Sequence, residues 1–439
     1  METLRTTCCV VGGGPAGVML GYLLARAGVE VLVLEKHADF FRDFRGDTVH
    51  PSTLEVMDEL GLLEDFLKVP HQQLTSAEGR VGDFNFQAAD FSHLPTRCKF
   101  VALMPQWDFL NFLSGRAKRF PGFHLRMQHE GVSLIREGDR IAGAEARSPQ
   151  GPVRIESDLV VGCDGRHSTM RQAAGLQVQE FGVPIDVLWF RISRRPGDPE
   201  QVAGNINYGK ALILINRGDY FQSGLIIPKG SFEPIKSAGL EVFRRTIARI
   251  APYLGNRVDE IQNWDQIKLL TVQINRMLKW HLPGLLCIGD AAHAMSPAGG
   301  VGINLAIQDA VAAANLLADP LRDGRVTEKL LAQLQRRREF PTRVTQALQV
   351  NAHKAFAKVF EIRGPLSAPW QLKAIVQVPG LQRLTGYAIG IGVRPEHVAG
   401  AAKRQQHSEW SLRKAAVSAG ALLGAVAVTL RQLATDKHR

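Results

Sequence analysis

Thr7-Cys8-Cys9-Val10-Val11-Gly12-Gly13-Gly14-Pro15-Ala16-Gly17 is the stretch that decides the fold, because an apolar run in it leads directly into a glycine-rich turn. Gly12 permits a sharp bend, since glycine adopts backbone angles that other residues avoid. Gly14 lets backbone N–H groups approach a pyrophosphate, and Gly17 lets a following helix pack closely on the strand. The stretch therefore predicts a strand followed by a phosphate-binding turn.

The residues after the turn complete a strand–turn–helix–strand unit. A helix-like segment runs from Val18 to Ala27, and a second apolar run, from Val29 to Leu34, ends at Glu35. Glu35 lies 18 positions after Gly17, near the spacing at which an acidic residue binds a ribose hydroxyl. The N-terminus of the helix would place its partial positive charge on the phosphates. The unit predicts a dinucleotide site in a parallel sheet.

Composition and charge limit the class of protein. The chain has 439 residues, 45% hydrophobic and 22% charged, as expected for a globular protein of two or three domains. Its net charge of +11 arises after residue 330, where 17 Lys and Arg stand against 5 Asp and Glu. The first seven residues lack the features of a secretory signal, so we expect a cytoplasmic location. The five cysteines have no metal-ligand spacing, so we expect no metal site.

Apolar runs and turns divide the chain into two interleaved domains and a C-terminal region. From about Gly182, short strands joined by tight turns replace the strand–helix alternation, and the parallel pattern resumes near Gly284. The predicted fold class is α/β: a Rossmann-like nucleotide-binding domain with a parallel sheet, interrupted by a mostly antiparallel substrate domain and followed by a helical region. The predicted boundaries are 1–72, 96–178 and 273–345 for the nucleotide-binding domain, 73–95 and 179–272 for the substrate domain, and 346–439 for the C-terminal region.

Two later strands also end at an acidic residue beside glycine. Asp164-Gly165 follows the apolar strand 158–163, and Gly289-Asp290 follows the apolar run 284–288. The carboxyl ends of parallel strands form the ligand-binding edge of such a sheet, so both acids are expected at that edge. The loop 299–304 adds glycines and a helix start, which offer free N–H groups to an anion or an electron-rich ring edge.

Together these motifs resemble the single-component FAD-dependent aromatic hydroxylases, the para-hydroxybenzoate hydroxylase-like monooxygenases. The resemblance covers roughly residues 5 to 345 and rests on Gly12, Gly14, Gly17, Glu35, Asp164, Gly165, Ser168, Arg171, Gly289, Asp290 and His293. It implies that the first motif binds the FAD pyrophosphate, that Asp290 binds the ribityl chain, and that the middle motif serves FAD and a transient NADPH or NADH. It also implies a flavin C4a-hydroperoxide, formed with O₂, that hydroxylates an aromatic or other electron-rich apolar substrate.

The resemblance extends to individual residues near the flavin. It places Arg45 beside the flavin and pyrophosphate, Gln106 at the start of an FAD-binding helix, and Pro297 beside the isoalloxazine ring. The expected catalytic residues are Arg45, Pro297 and His50, the last as a proton relay. The expected FAD contacts are Gly12, Gly14, Pro15, Ala16, Gly17, Glu35, Lys36, Arg45, Gln106, Asp164, Gly165, Asp290, Gly300, Val301, Gly302, Ile303 and Asn304.

Some charged residues of these motifs have a plainer interpretation. Arg45 can equally be a solvated loop arginine, and His293, at a helix entry, is more typical of a structural residue. Arg166 and His167 are expected at the surface, with contact to a nicotinamide phosphate as the alternative.

Substrate selection is assigned to the antiparallel sheet. Aromatic and polar residues at strand spacing there are candidates for the pocket lining, although aromatic residues at this spacing are also typical of a core. The candidates are Trp189, Arg191, Tyr208, Tyr220 and Gln222. No residue is identified as the base that would deprotonate a phenol.

The basic C-terminal region carries an apolar run, 415–430, between Arg413-Lys414 and Arg431. The run is shorter than a membrane span and weakly hydrophobic, so it predicts peripheral membrane docking, a helix packed on a partner, or a partly disordered or self-docked tail. Upstream, residues 336–338 are three arginines expected on a solvated helix face. Stacking aromatics are not interleaved with the basic residues, so no nucleic-acid partner is expected. Homodimerisation stays open.

Other flavin functions share the same motifs. An epoxidase, a prenyl reductase or a halogenase acting on a lipophilic substrate remains an alternative, although the Trp-x-Trp-x-Ile-Pro signature of halogenases does not occur. A flavin-binding protein whose redox state gates a partner is the alternative outside enzymology.

Overall fold

The computed structural model describes residues 1–41, 48–199, 203–362 and 364–399. Arg45 and the apolar run 415–430 lie outside these residues, so their expected roles remain predictions.

The described residues contain 21 strands, which form four sheets. The strands are β1 (Glu2–Val11), β2 (Val31–Glu35), β3 (Thr48–Val49), β4 (Gln72–Leu74), β5 (Ser76–Val81), β6 (Phe84–Asp90), β7 (Val101–Leu103), β8 (Phe123–Met127), β9 (Glu130–Glu137), β10 (Arg140–Ser148), β11 (Gly151–Gly162), β12 (Val178–Phe181), β13 (Ile185–Ser193), β14 (Ala203–Asn207), β15 (Lys210–Asn216), β16 (Tyr220–Pro228), β17 (Lys268–Leu270), β18 (Ile274–Met277), β19 (His281–Leu282), β20 (Leu285–Cys287) and β21 (His293–Ala294).

Eleven α-helices lie among the described residues. The helices are α1 (Pro15–Arg26), α2 (Pro51–Glu59), α3 (Leu63–Phe66), α4 (Gln106–Ala117), α5 (Thr169–Ala173), α6 (Phe232–Ser237), α7 (Leu240–Ile250), α8 (Gly302–Arg322), α9 (Glu328–Ala357), α10 (Trp370–Ile375) and α11 (Leu381–Gly390).

The largest sheet is parallel at its centre. Its order is β19-β20-β11-β1-β2-β8, and two antiparallel pairs extend it, β10 with β11 and β9 with β10. β20, β11, β1, β2 and β8 pair in parallel. Residues 8–11 and 159–162 are wholly buried, as expected for strands covered on both faces. Their carboxyl ends place the three predicted motifs at one edge of the sheet.

The second large sheet is mostly antiparallel, with the order β17-β13-β16-β15-β14-β5-β6. β5 comes from the short stretch before residue 95, and it pairs in parallel with β14, more than 100 residues later. Along β13, Leu188, Phe190 and Ile192 alternate toward Phe243 of α7, because successive strand residues point to opposite faces. The opposite face turns toward α9. The predicted fold class, a parallel α/β unit combined with an antiparallel sheet and a helical C-terminal region, is confirmed.

Two long helices join the sheets. α8 packs on α1 and fills the core above the parallel sheet. The stretch Ala298–Arg322 is long and apolar enough to cross a membrane, but 67% of its apolar window is buried in the protein, as in a core helix. α9 is continuous from residue 328 to 357, so the predicted boundary between residues 345 and 346 falls inside a helix instead of between two elements.

Residues 389–399, here called the C-terminal segment, return to the nucleotide-binding part of the chain. Glu396 forms ion pairs with Arg337 and Arg338 of α9. The Val398 N–H donates to Glu59 of α2 at 2.8 Å, and the Ala399 N–H donates to Asn315 of α8 at 2.9 Å. The C-terminal segment therefore ties α2 to α8 and α9, which are remote from α2 in sequence.

Candidate active site

The glycine turn after β1 leaves an open space at the start of α1. A Cβ added to Gly12 would lie 2.4 Å from the carbonyl oxygen of Cys163, and one added to Gly17 would lie 1.9 Å from the carbonyl oxygen of Gly12. A Cβ added to Gly14 would meet no atom within 4 Å. The first turn, which includes Pro15 and Ala16, has no acidic residue and no side-chain cap, so its N–H groups remain available. This space fits a pyrophosphate.

Glu35 lies at the end of β2 and faces the same turn. Its Oε2 accepts the Gly13 N–H at 3.1 Å, and its Oε1 accepts the His37 N–H at 3.0 Å. These bonds fix the carboxylate beside the glycine turn. Lys36, the next residue, is exposed.

Asp164 follows β11 and accepts an N–H of the short helix α5, whose N-cap is Ser168. Its Oδ2 accepts the Met170 N–H at 3.0 Å, and burial raises the pKa of its carboxyl. Gly165, beside it, has a φ of +83°, a backbone conformation that favours glycine. Arg171 of the same motif is buried, and its Nη1 donates to the Ala291 carbonyl at 2.8 Å. The second motif thereby holds the third.

Asp290 lies in the turn after β20. Its side chain is 32% exposed, and its Oδ2 is 3.2 Å from Nη2 of Arg166. A Cβ added to Gly302, the first residue of α8, would lie 4.0 Å from Asp290 Oδ1. A partly exposed carboxylate between the second motif and the start of α8 is available to the hydroxyls of a ligand.

The loop before α8 is anchored by β3. Thr48 Oγ1 donates to the Gly300 carbonyl at 3.0 Å, and Gly299 and Gly300 have φ values of +79° and +64°. Val301 and Ile303 are half-buried beside the first turn of α8, which carries no acidic residue and no side-chain cap. The first N–H groups of α8 are therefore open to a ligand.

Asn304 and His50 bind each other instead of pointing into open space. Asn304 Oδ1 accepts the His50 N–H at 2.9 Å and Thr53 Oγ1 at 2.7 Å. His50 Nδ1 is 2.8 Å from the carbonyl oxygen of Ile389, so Nδ1 carries the proton and Nε2 is the acceptor. Burial lowers the pKa of His50 to about 4, although the Ile389 bond acts in the opposite direction. His50 is therefore neutral at pH 7.

Gln106 begins α4, as the resemblance implies. It is half-buried, and its side chain makes no hydrogen bond with any described residue. An amide in this state is available to a ligand.

A buried charge cluster behind the Gly289–Asp290 turn was not predicted. Asp309 Oδ2 accepts the Gly289 N–H at 3.0 Å and lies 2.6 Å from His293 Nε2. Asp309 Oδ1 accepts a bond from Arg338 Nε at 2.8 Å, and Arg338 also pairs with Glu396 at 3.5 Å. Burial would raise the pKa of Asp309, but His293 and Arg338 outweigh it and lower that pKa. The Asp309 cluster (His293, Asp309, Arg338 and Glu396) fixes the turn.

Arg338 corrects one expectation. It is 1% exposed, so the predicted solvated face is wrong for this arginine, although Arg336 and Arg337 are exposed. The sequence did carry a signal, because Leu331, Leu334 and Arg338 are spaced by three and four residues and both leucines are buried.

Four of the five candidate substrate residues share one face of the antiparallel sheet. Arg191 pairs across strands with Gln222, and Trp189 pairs with Gly224. Trp189 is 7% exposed within an apolar cluster that includes Val350 of α9, and its Nε1 has no hydrogen-bond partner among the described residues. The guanidinium of Arg191 lies 4.8 Å from the ring centroid of Tyr220. This face, here called the Trp189 face, packs against α9 through Val350.

Tyr208 stands apart from the other four. It lies in the turn between β14 and β15, with the guanidinium of Arg249 from α7 at 3.9 Å from its ring centroid. Because α7 covers the opposite face of the sheet, Tyr208 does not lie on the Trp189 face. Arg217, which sequence reasoning missed, does belong with the others, since its Nε donates to Gln222 Oε1 at 3.2 Å.

Across residues 1–41, 48–199, 203–362 and 364–399, no group of His, Cys, Asp and Glu could hold a metal ion. The cysteines are all buried and free.

Comparison with known proteins identifies the cofactor that this edge of the sheet takes. The family model described as "FAD binding domain" matches residues 5–348. The chain belongs to this FAD-binding family. As a member, it is an FAD-dependent monooxygenase that uses a nicotinamide nucleotide as reductant, and the predicted resemblance to the aromatic hydroxylases is confirmed.

Individual relatives of this FAD-binding protein differ in length and in name. The 6-methylpretetramide 4-monooxygenase of Streptomyces rimosus is 30% identical over 368 residues, which cover 79% of this chain and 83% of that protein. The dialkyldecalin synthase of Streptomyces rugosporus is 27% identical over 322 residues, which cover 70% of this chain but only 64% of that protein. The structure of OxyS anhydrotetracycline hydroxylase from Streptomyces rimosus superposes with a TM-score of 0.71 at 23% identity, over 92% of this chain and 79% of that one.

Proposed function

We propose that this monooxygenase hydroxylates a fused aromatic ring system in the cleft between the loop 297–300 and the Trp189 face of the antiparallel sheet. The observation that carries the proposal is the position of α9 against both walls. Gln349 of α9 bonds the backbone of Ser296, and Val350, the next residue, packs with the Trp189 cluster. One helix thus sets the loop at a fixed distance from the sheet.

The chemistry of the Trp189 face supports a flat, apolar substrate that carries oxygen. The face is mainly aliphatic, with Val187, Ile213 and Ile226 around Trp189. A buried donor without a partner costs about 1–3 kcal/mol, and a carbonyl or hydroxyl oxygen of the substrate would satisfy Trp189 Nε1. The similarity to enzymes named for 6-methylpretetramide and anhydrotetracycline favours a fused-ring compound of this kind.

Cofactor binding is assigned to the residues at the edge of the parallel sheet. The N–H groups at the start of α1 would hold the pyrophosphate, Glu35 a ribose hydroxyl, and Asp290 the ribityl hydroxyls. The N-terminus of α8 would stabilise negative charge on the reduced ring. When bound, FAD accepts a hydride from NAD(P)H and supplies the oxygen chemistry. Arg45 and Gln106 complete the expected set.

His50 acts as a hydrogen-bond acceptor in this proposal. Its Nδ1 proton is held by the Ile389 carbonyl, and its neutral Nε2 can receive a proton only transiently, because burial lowers its pKa to about 4. Such a group passes a proton on instead of storing it.

The test is oxidation of NADPH and NADH by the purified, FAD-loaded protein against a panel of fused phenols, quinolones and quinols under ¹⁸O₂. We expect one oxygen atom from ¹⁸O₂ in the product and a rate of NAD(P)H oxidation that rises with the substrate. Peroxide as the sole product with every compound, at a substrate-independent rate, would contradict the proposal. A product formed without O₂ would favour a non-oxidative reaction.

The tail beyond residue 399 is proposed as a peripheral membrane contact. Its apolar run, 415–430, has cationic flanks, which anionic lipid attracts. Deleting residues 411–439 should move the protein from the membrane fraction to the supernatant, and an unchanged distribution would remove the idea.

A further inference from the structure

One face of α9 carries three buried polar side chains: Gln346, Gln349 and His353. They are spaced by three and four residues, so they lie one above the other along the helix. Their exposed fractions are 2%, 6% and 3%. A helix face that packs on a core is normally apolar, so three buried polar side chains in a row need partners.

The backbone partners lie on β18 and on the chain that leads into the loop 297–300. Gln346 Nε2 donates to the carbonyls of Asn275 at 2.7 Å and Ala294 at 3.2 Å. Gln349 Nε2 donates to the carbonyls of Ser296 at 3.0 Å and Ala298 at 2.8 Å. Gln349 Oε1 accepts the Ser296 N–H at 3.0 Å. A single amide therefore holds the chain on both sides of Pro297.

His353 fixes the same point from the next turn of α9. Its Nε2 lies 2.7 Å from Ser296 Oγ, which accepts the Ala298 N–H at 3.1 Å. Burial lowers the pKa of His353 to about 4, so the ring is neutral at pH 7 and Ser296 Oγ can donate to it. Ser296 has no freedom to rotate without breaking one of these bonds.

Beyond these anchors the loop is exposed. Ala298 and Gly299 are exposed and Pro297 is half-buried, whereas Ser296 is 1% exposed. The far end of the loop is held by Thr48, whose Oγ1 donates to the Gly300 carbonyl at 3.0 Å. The two residues pack so closely that a Cβ on Gly300 would lie 2.2 Å from Thr48 Oγ1. The exposed tip thus lies between an anchor on α9 and an anchor on β3. The α9 anchor determines how far the tip extends from that helix.

We infer that Gln349 is a positioning residue, which sets the Pro297 loop against the bound ring system and thereby the fraction of reducing equivalents that reaches product instead of hydrogen peroxide. The inference rests on the proposed function, in which this loop forms one wall of the reaction cleft. Oxygen transfer depends on sub-ångström placement and on exclusion of water, and both worsen when the loop moves. Binding of FAD depends on other groups, at the start of α1 and at Asp290.

Gln335 offers a matched control on the same helix. Its Oε1 accepts the Trp280 N–H at 3.0 Å and its Nε2 donates to the Leu278 carbonyl at 3.0 Å, so it also ties α9 to backbone, but at a point remote from Pro297. Gln349→Leu should lower the product-to-peroxide ratio about tenfold or more while FAD content is kept. Gln335→Leu should leave the ratio unchanged at a comparable loss of thermal stability. Equal ratios in both variants would overturn the inference.

A second readout does not depend on turnover. The visible circular dichroism and absorption of bound FAD should change in Gln349→Leu and stay as in the wild type in Gln335→Leu; identical spectra in both would overturn the inference even if no substrate is found. Gln349→Glu tests the case in which the leucine variant does not fold, since it keeps the acceptor for Ser296 and sets a carboxylate against two carbonyls. Wild-type protein that binds FAD but never yields product would defeat the proposed function alone.

Discussion

The glycine turn after β1 and the Trp189 face of the antiparallel sheet are held in different ways. At the turn, backbone lies against backbone, and a single added Cβ at Gly12 or Gly17 would overlap a carbonyl group. On the sheet face, side chains alternate between α7 and α9. Backbone contacts therefore determine the turn, whereas side-chain packing determines the sheet face.

In the proposed function, this difference separates cofactor binding from substrate selection. A backbone-lined turn would bind the phosphates of FAD whatever substrate is used, because it presents N–H groups instead of side chains. The sheet face can change its side chains without moving the turn, since the two belong to different sheets. Substrate choice can therefore vary while cofactor binding stays constant.

The largest effect is expected for Gly17→Ala, which tests the rigidity of the turn. Its Cβ would lie 1.9 Å from the Gly12 carbonyl oxygen, so either α1 or the turn must move. We expect a loss of more than about 4 kcal/mol of unfolding free energy and no bound FAD, measured by urea denaturation and by absorbance.

Gly14→Ala is the control, because its Cβ would meet no atom within 4 Å. It should fold with nearly wild-type stability and bind FAD more weakly, since the methyl group occupies the ligand space. Wild-type stability in Gly17→Ala would contradict the backbone-packing account.

The next largest effect is expected at the Asp309 cluster, which fixes the Gly289–Asp290 turn. Arg338→Met removes the cation beside Asp309, whose side chain is fully buried. An uncompensated buried charge typically costs about 3–5 kcal/mol. Arg336→Met, an exposed arginine two residues away, should change stability by less than about 0.5 kcal/mol. Equal denaturation midpoints for the two variants would contradict a buried role for Arg338.

The sequence predicts the glycine turn more readily than it predicts the Asp309 cluster. The turn is local: Gly13 and Glu35 are 22 residues apart, and strand, glycines and acid follow one another in a known order. The Asp309 cluster joins Asp309 to Arg338 and then to Glu396, 29 and 58 residues apart, and no local pattern marks such a pairing. Long-range polar contacts depend on how the helices pack, which spacing alone does not determine.

On the sheet face, spacing predicted the strands but not which residues line the pocket. Trp189, Arg191, Tyr220 and Gln222 lie on one face, as period-two alternation requires, and their contact with substrate stays a prediction. Tyr208 was also a candidate, but it lies in a turn beside Arg249. A turn breaks the period-two alternation on which the candidates were chosen. The anchoring residues on α9 escaped prediction because glutamines on a helix usually face solvent.

Acid should destabilise the fold where the rings of His50 and His353 are buried. Burial lowers the pKa of both His50 and His353 to about 4, below the value near 6.5 of an unfolded histidine. Between these values the unfolded chain binds the protons, so the stability that the neutral rings contribute is present above pH 6.5 and is lost as pH falls toward 4. The loss is about 3 kcal/mol per histidine.

Urea denaturation between pH 7 and pH 4.5 measures this dependence. His353→Asn should flatten it, because asparagine has no proton to gain, whereas His167→Asn, at an exposed position, should leave the slope of the wild type. A slope unchanged in His353→Asn would mean that water reaches the ring of His353.

The smallest effect is expected on the sheet face, from Trp189→Phe. Phenylalanine keeps an aromatic ring against Gly224 and Val350 but removes the Nε1 donor, which is buried without a partner among the described residues. For a substrate that offers an oxygen, KM should rise up to about tenfold, or about 1.4 kcal/mol, the value of a single hydrogen bond. Tyr208→Phe should leave KM unchanged, because Tyr208 lies on the other side of the sheet. FAD content should be equal in both variants, since neither residue touches the glycine turn. A drop in FAD content with Trp189→Phe would show that the sheet face and the turn are coupled after all, and equal KM shifts in the two variants would remove Trp189 from the cleft.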